Sequence, residues 1–325
     1  MPTRRRLLLQ LASGGFCIPS ATAAERPKVI GILNAYVPAD VRRFLDSFDR
    51  EMAQLGHMKG THYVTVERMA EGRLERLRAM AEELVRMNVD LILAAPSNAV
   101  VEAQRATATI PIVFSAVTDP VRQGFVESLA RPGRNLTGVS NNAGELGPKR
   151  LELLRQMVPR LARLGVLATA RTPTYPANVE VLRTAAEALG WRIAVFEAEL
   201  PLNLSATFAG MTAFRPDALY VAGDANLWSH RRQLAALALQ ARLPTMFAFA
   251  EHVEDGGLMS YGADPQDGFR QSAAYVDRIF KGARPGDLPV QQPSKIDLVI
   301  NERTAEALGL RIPAALRLQA ERIIG

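Results

Sequence analysis

Cysteine is almost missing from this chain. Cys17 is the only one in 325 residues, so no intrachain disulfide can form and the fold must be held by burial. Long apolar runs are missing too. None approaches the roughly 18 residues that a membrane span requires, so no membrane insertion of the body of the chain is expected. No Gly-x-Gly-x-x-Gly follows the first strand-like segment, where Gly31-Ile-Leu-Asn34 stands instead, and no Gly-x-x-x-x-Gly-Lys-Ser/Thr loop occurs. Both absences speak against a nucleotide cofactor. The four histidines, His57, His62, His230 and His252, are scattered and form no His-Glu-x-x-His pair, so no metal site is expected. A Gly-x-Ser-x-Gly nucleophile turn is also lacking. The sequence therefore offers no catalytic constellation, and neither cofactor nor enzymatic activity is expected.

The first residues read as a targeting segment. Arg4, Arg5 and Arg6 form a basic start, Leu7 to Ile18 a short apolar stretch, and Ala21-Thr22-Ala23 a small-x-small cleavage site. Thr3 to Leu8 resembles a twin-arginine signal, and ordinary secretory export fits the same segment. Gly15 and Phe16 fit a lipid-anchor motif at Cys17 poorly. Cleavage after residue 23 would remove Cys17 and three arginines, leaving 36 basic against 33 acidic residues. With no basic run of five or more elsewhere, nucleic acid is not an expected partner.

Asp90 to Pro120 gives the architecture. Leu91 to Ala95 is apolar and too short for a helix, the pattern of a strand buried on both faces. Pro96 stops it, Ser97 stands at the expected helix cap, and Ala99 to Thr107 reads as helix. A second short strand, Pro111 to Ala116, ends at Thr118, Asp119 and Pro120. Strand and helix alternate throughout the chain, as in a doubly wound parallel sheet. Helix one carries Val41, Phe44, Leu45, Phe48, Met52 and Leu55 at helical spacing, and a helix is expected over Val121 to Ala130.

Past Asn141 the pattern starts again. Asp90-Leu-Ile-Leu-Ala-Ala-Pro-Ser-Asn98 is echoed by Asp217-Ala-Leu-Tyr-Val-Ala-Gly-Asp-Ala-Asn226, and Ile110-Pro111 by Leu243-Pro244. Two similar α/β lobes follow from this repetition. The expected division is 1–23 targeting segment, 25–140 plus 250–295 lobe I, and 141–249 plus 296–325 lobe II. Crossings between lobes are expected at Val139–Ala143, Phe247–Glu251 and Pro293–Asp297, and the chain is expected to close on two short helices, Thr304–Leu308 and Pro313–Ile323.

Open α/β sheets bind ligands at the carboxyl ends of their strands. The candidate site residues there are Ser97, Asn98, Thr118, Asp119, Asn141, Asn142, Thr172, Thr174, Tyr175, Asp224, Asn226 and Glu251, with Tyr36 and Tyr175 as stacking walls. Hydroxyls, amides and a few acids suit reversible hydrogen bonding rather than bond cleavage. Ser97 at a helix start could take a carboxylate, and Asp224 an ammonium. Each has a plainer reading as a helix cap, and Asp119 before Pro120 is an ordinary helix-start pair.

Ordered motifs carry a resemblance over nearly the whole chain: Ile110 to Phe114, Asp119-Pro120, Gly124 to Gly133, Asn135 to Gly138, Gly256 to Gly262, Ala274 to Gly282, Leu288 to Pro293 and Val299 to Ala305. Together they resemble the ABC-transporter substrate-binding proteins of the tryptophan/tyrosine-binding type. The resemblance implies a type I periplasmic binding protein: two Rossmann-like lobes, a three-stranded hinge and a small organic solute in the cleft, with amino acids, aromatic or related, among the candidates. It implies a monomer in the periplasm that passes its ligand to an ABC permease driven by an ATPase. A ligand-sensing receptor for a membrane signalling partner shares these features, and an α/β enzyme or the effector half of a regulator shares the fold. The family's post-strand hydroxyl pair falls at Ser97-Asn98, its second-lobe acid and amide at Asp224 and Asn226, and its later acid at Glu251. Thr169 to Tyr175 departs from the family's usual Asn-Pro start.

Overall fold

The computed structural model describes residues 26–141, 144–169, 175–199, 202–293 and 295–325. Two sheets organise them. The first is built from β1 (Lys28–Asn34), β2 (Tyr63–Met69), β3 (Leu91–Ala95), β4 (Ile112–Val117) and β5 (Leu136–Ser140), all parallel, in the order β2-β1-β3-β4-β5. Helices α1 (Pro38–Gln54), α2 (Leu77–Arg86) and α3 (Ser97–Ala106) connect them. β3 is buried at every position, as its unbroken apolar run requires when both sheet faces are covered. The α1 stripe Val41, Phe44, Leu45, Phe48 and Met52 is buried as its spacing predicts.

The second lobe runs α4 (Gly147–Met157), β6 (Arg163–Ala168), α5 (Tyr175–Ala188), β7 (Arg192–Glu197), α6 (Leu204–Gly210), β8 (Ala218–Val221), α7 (Ala225–Ser229), α8 (Arg231–Gln240), β9 (Thr245–Phe247), α9 (Ala250–Glu254) and β10 (Met259–Gly262). Its sheet starts β7-β6-β8-β9-β10, the same order as the first. The sequence echo is therefore a topological one: β3 and β8 hold the same place. Asp90 accepts from the Val29 N–H at 2.8 Å, tying β3 to β1. Asp217 accepts from the Ala162 and Arg163 N–H groups at 3.1 and 2.8 Å, tying β8 to β6.

The tail completes both lobes. α10 (Pro265–Phe280) packs on α1, β4 and β5. β11 (Asp297–Asn301) returns antiparallel to β10, and α11 (Glu302–Ala307), α12 (Ala314–Gln319) and β12 (Arg322–Ile324) follow, with β12 parallel to β11. Three expectations are corrected here. Residues 250–295 do not join the first lobe as a block, because β10 pairs with β9 and β11 in the second sheet. Phe247–Glu251 is not a crossing, since β9, α9 and β10 stay on that sheet; the chain crosses at Ala263–Asp264 instead. The last residues form a strand rather than a helix end, because Arg322 to Ile324 find open ladder positions beside β11.

A fourth correction concerns Val121 to Ala130, which is a series of turns. Gly124 holds φ +71°, outside the right-handed helical region. The crossing segments touch one another: the Ser140 N–H donates to Gln291 O at 2.8 Å, and the Gln291 N–H to Gly138 O at 3.0 Å.

Candidate binding cleft between the lobes

The carboxyl ends of the two sheets face each other. Tyr36 follows β1; Pro96, Ser97 and Asn98 follow β3; Ala116 closes β4 with Thr118 just after it; Asn141 follows β5. Across from them stand Gly223, Asp224 and Ala225 after β8, and Phe249 after β9. These residues border about 400 Å³ of empty space, open mouth included, with little of it enclosed.

On the first wall, α3 starts at Ser97 with Pro96 in the cap position and no side chain capping it. The partial positive charge of that helix end therefore faces the cleft uncompensated by a cap. The Ser97 hydroxyl accepts from Gln123 Nε2 at 3.1 Å. Thr118 donates to Asn141 Oδ1 at 2.9 Å, and Asn141 Nδ2 to Ala116 O at 3.0 Å. These bonds set the rotamers of a polar wall.

On the second wall, Asp224 is buried and caps α7. One carboxylate oxygen accepts from the Asn226 and Leu227 N–H groups at 2.8 and 3.1 Å. Tyr36 lies against Trp228 of α7, ring centroids 4.3 Å apart. Burial, with the carboxylates of Asp224 and Glu251 nearby, pushes the Tyr36 phenol above its ordinary range and keeps it protonated.

Beside the cleft the lobes are clasped. Arg231 of α8 donates to Asp40 of α1 at 2.7 Å, pairs with Asp255 at 2.7 Å, and lies over the Trp228 ring at 4.3 Å. Arg43 of α1 meets Glu251 and Glu254 of α9 at 2.7 and 3.5 Å. Burial raises the Glu251 carboxyl above the usual range even with Arg43 beside it. His252, stacked on Phe247, is pushed down to about 3 by burial and is neutral.

A family model described as ABC transporter substrate binding protein matches residues 48–324. The chain belongs to that family. A tyrosine-binding protein of Clostridioides difficile is 24% identical over 290 residues, covering 89% of this chain and 83% of that protein. An ABC domain from Streptococcus pneumonia, solved in complex with L-Trp, is 25% identical with a TM-score of 0.86, covering 92% of this chain and all of that one. A conserved domain protein from Vibrio cholerae gives the same TM-score and coverage at 27% identity. The fold is that of type I periplasmic binding proteins, and no helix among the described residues is long and apolar enough to cross a membrane.

In this member of the ABC substrate-binding family, Tyr36, Ser97, Asn98, Thr118, Asn141 and Asp224 come together at one cleft. Ser97 is the first helical residue rather than the cap. Asn226 lies beyond Asp224, on a wider opening that it shares with Asn98, Arg73 and His230. Asp119 and Glu251 are not among the cleft-lining residues. Asp119, at φ +44°, accepts from the Arg122 N–H and pairs with its guanidinium, while Glu251 is spent on the clasp. Tyr175 opens α5; Asn142, Thr172 and Thr174 lie outside the described residues. Sequence reasoning missed Gln123, Phe249, Trp228 and Arg231. Gln123 and Phe249 sit in turns with no periodic signal, and Trp228 and Arg231 fall on two successive helices, α7 and α8, so their spacing gave no single-face signal.

Proposed function

We propose that this chain is the extracytoplasmic solute receptor of an ABC importer, non-catalytic, and that its ligand is a small zwitterion of the amino acid class. The observation that carries this reading is the pairing of charge across the cleft. The uncapped start of α3 with the Ser97 hydroxyl offers donors to a carboxylate, and buried Asp224 opposite offers a carboxylate to an ammonium. Tyr36 and Phe249 supply apolar walls between them. The relatives that bind tyrosine and carry L-Trp support the amino acid class.

A ligand that touches both walls stabilises the closed arrangement over the open one, and closure then presents the loaded receptor to a permease. The leading segment 1–23 fits export to the periplasm. Asp224→Asn keeps an oxygen for the α7 cap while removing the charge. It should weaken amino acid binding by about a hundredfold in titration calorimetry, on the scale of a charge-assisted pair. Undiminished affinity in this variant would refute the assignment.

A further inference from the structure

The hydrogen-bond polarity of the first wall is set from outside the cleft. Ser97 and Thr118, just after β3 and β4, border the cleft, and Gln123 stands behind them without bordering it. Gln123 Nε2 donates to Ser97 Oγ at 3.1 Å and to the carbonyl oxygen of Thr118. The turn that carries it is anchored on both sides. The Gln123 N–H donates to Asp119 O at 3.1 Å, and Gln104 Nε2 of α3 donates to Gly124 O at 3.0 Å.

The partners settle which way this amide faces. Thr118 O can only accept, so the NH2 end must point to it; the reverse orientation would press two acceptors together. Gln123 Oε1 is left buried, with no partner among the described residues, a cost that the two donated bonds must offset. With one NH2 hydrogen on Thr118 O, the other goes to Ser97, whose oxygen is held as an acceptor. The Ser97 proton cannot return to an NH2 group, and it meets no other acceptor among the described residues. The Ser97 and Asn98 N–H groups, first in α3, also have no intrahelical partner. This corner of the cleft therefore presents donors.

We infer that Gln123 is a positioning residue of the solute site. By occupying the Ser97 oxygen it turns the hydroxyl into a donor, which selects a carboxylate, with acceptors only, over a carboxamide, whose NH2 would meet donors. The inference rests on the amino acid reading above and adds the residue that sets the choice at this end of the ligand.

The test starts with a thermal-shift screen of the common L-amino acids against the purified protein. The one that stabilises it most is then titrated by calorimetry beside its own carboxamide. The wild type should bind the acid at least about tenfold more tightly, the scale of one hydrogen bond to a charged group. Gln123→Met matches the length of the side chain but frees the Ser97 oxygen to accept. The acid should weaken about fivefold while the carboxamide holds within about twofold, so the ratio shrinks. In Ser97→Ala, adding Gln123→Met should leave the ratio where Ser97→Ala alone puts it.

A merely structural role for Gln123 would weaken both ligands alike. An unchanged ratio in Gln123→Met would therefore overturn the inference and leave the amino acid reading standing. Failure of every amino acid to bind would overturn that reading, and the inference with it. Should Gln123→Met fail to fold, Ser97→Ala decides. Its ratio should shrink as well, and a ratio equal to that of the wild type would sink the inference.

Discussion

The indole of Trp228 lies 4.3 Å from the phenol ring of Tyr36, and the two rings belong to opposite lobes. Tyr36 lines the cleft, while Trp228 carries the Arg231 guanidinium on its ring. Relative motion of the lobes must therefore change the surroundings of one of the chain's two tryptophans. The other, Trp191, is buried within the second lobe. Solute addition should shift the fluorescence of the wild type and of Trp191→Phe, and the shift should vanish in Trp228→Phe. A signal that survives in Trp228→Phe would place the moving contact elsewhere.

Arg231 joins Asp40 of the first lobe to Asp255 of the second, with the Arg231 side chain only 9% exposed. Arg231→Met keeps an apolar cover for Trp228 but removes the bridge. A pair this protected lies between the exposed and buried limits, so the closed form should lose about 1–3 kcal/mol. Solute affinity should fall about tenfold by population shift, and small-angle scattering should give a larger unliganded radius. An unchanged radius and affinity would show that the clasp contributes nothing to closure.

Glu251 holds a carboxyl whose folded value is raised by burial. For an acid raised on folding, the unfolded chain gives up the proton first. The stability contribution is therefore complete below the ordinary carboxyl range and is lost as pH rises through the folded value. Glu251→Gln should thus melt higher than wild type at pH 7 to 8, and the difference should shrink on acidification. Melting curves across that range check the sign; a variant less stable at neutral pH would mean that the Arg43 pair outweighs burial.

Asp217 runs the other way. Burial alone would raise its carboxyl, but hydrogen bonds from the Arg163 side chain and from the Ala162 and Arg163 N–H groups outweigh it and lower the value. Its contribution is present above the ordinary aspartate range and lost as pH falls through the folded value. Asp217→Ala should destabilise the second lobe by about 1–3 kcal/mol at neutral pH, with a smaller deficit in acid. Asp90→Ala should do the same to the first lobe at neutral pH, since Asp90 ties β3 to β1 in the same way. Denaturant unfolding of the two variants compares them directly.

The order of strands and helices was legible in the chain because burial writes itself locally: β3 is apolar at each position, and α1 repeats its apolar residues at the helical period. The echo of Asp90 to Asn98 in Asp217 to Asn226 revealed the repeated lobe for the same reason, because the same strand position makes the same local demands. The polar turn residues announced a ligand cleft, since turns after parallel strands share one edge of a sheet.

The tertiary structure alone decided which of those residues border the cleft. Asp224 and Asp119 look alike as acids at strand ends, yet one borders the cleft and the other is consumed by Arg122. Glu251 left the cleft for Arg43, a partner more than two hundred positions away. The crossing at Ala263–Asp264 was hidden because β10 reads the same whichever sheet it joins; only its pairing with Met246 and Ile300 assigns it. Sequence by itself determined the elements and their chemistry, because propensity and burial act over a few residues. Partners across the two lobes depend on contacts between distant segments, and no local pattern encodes them.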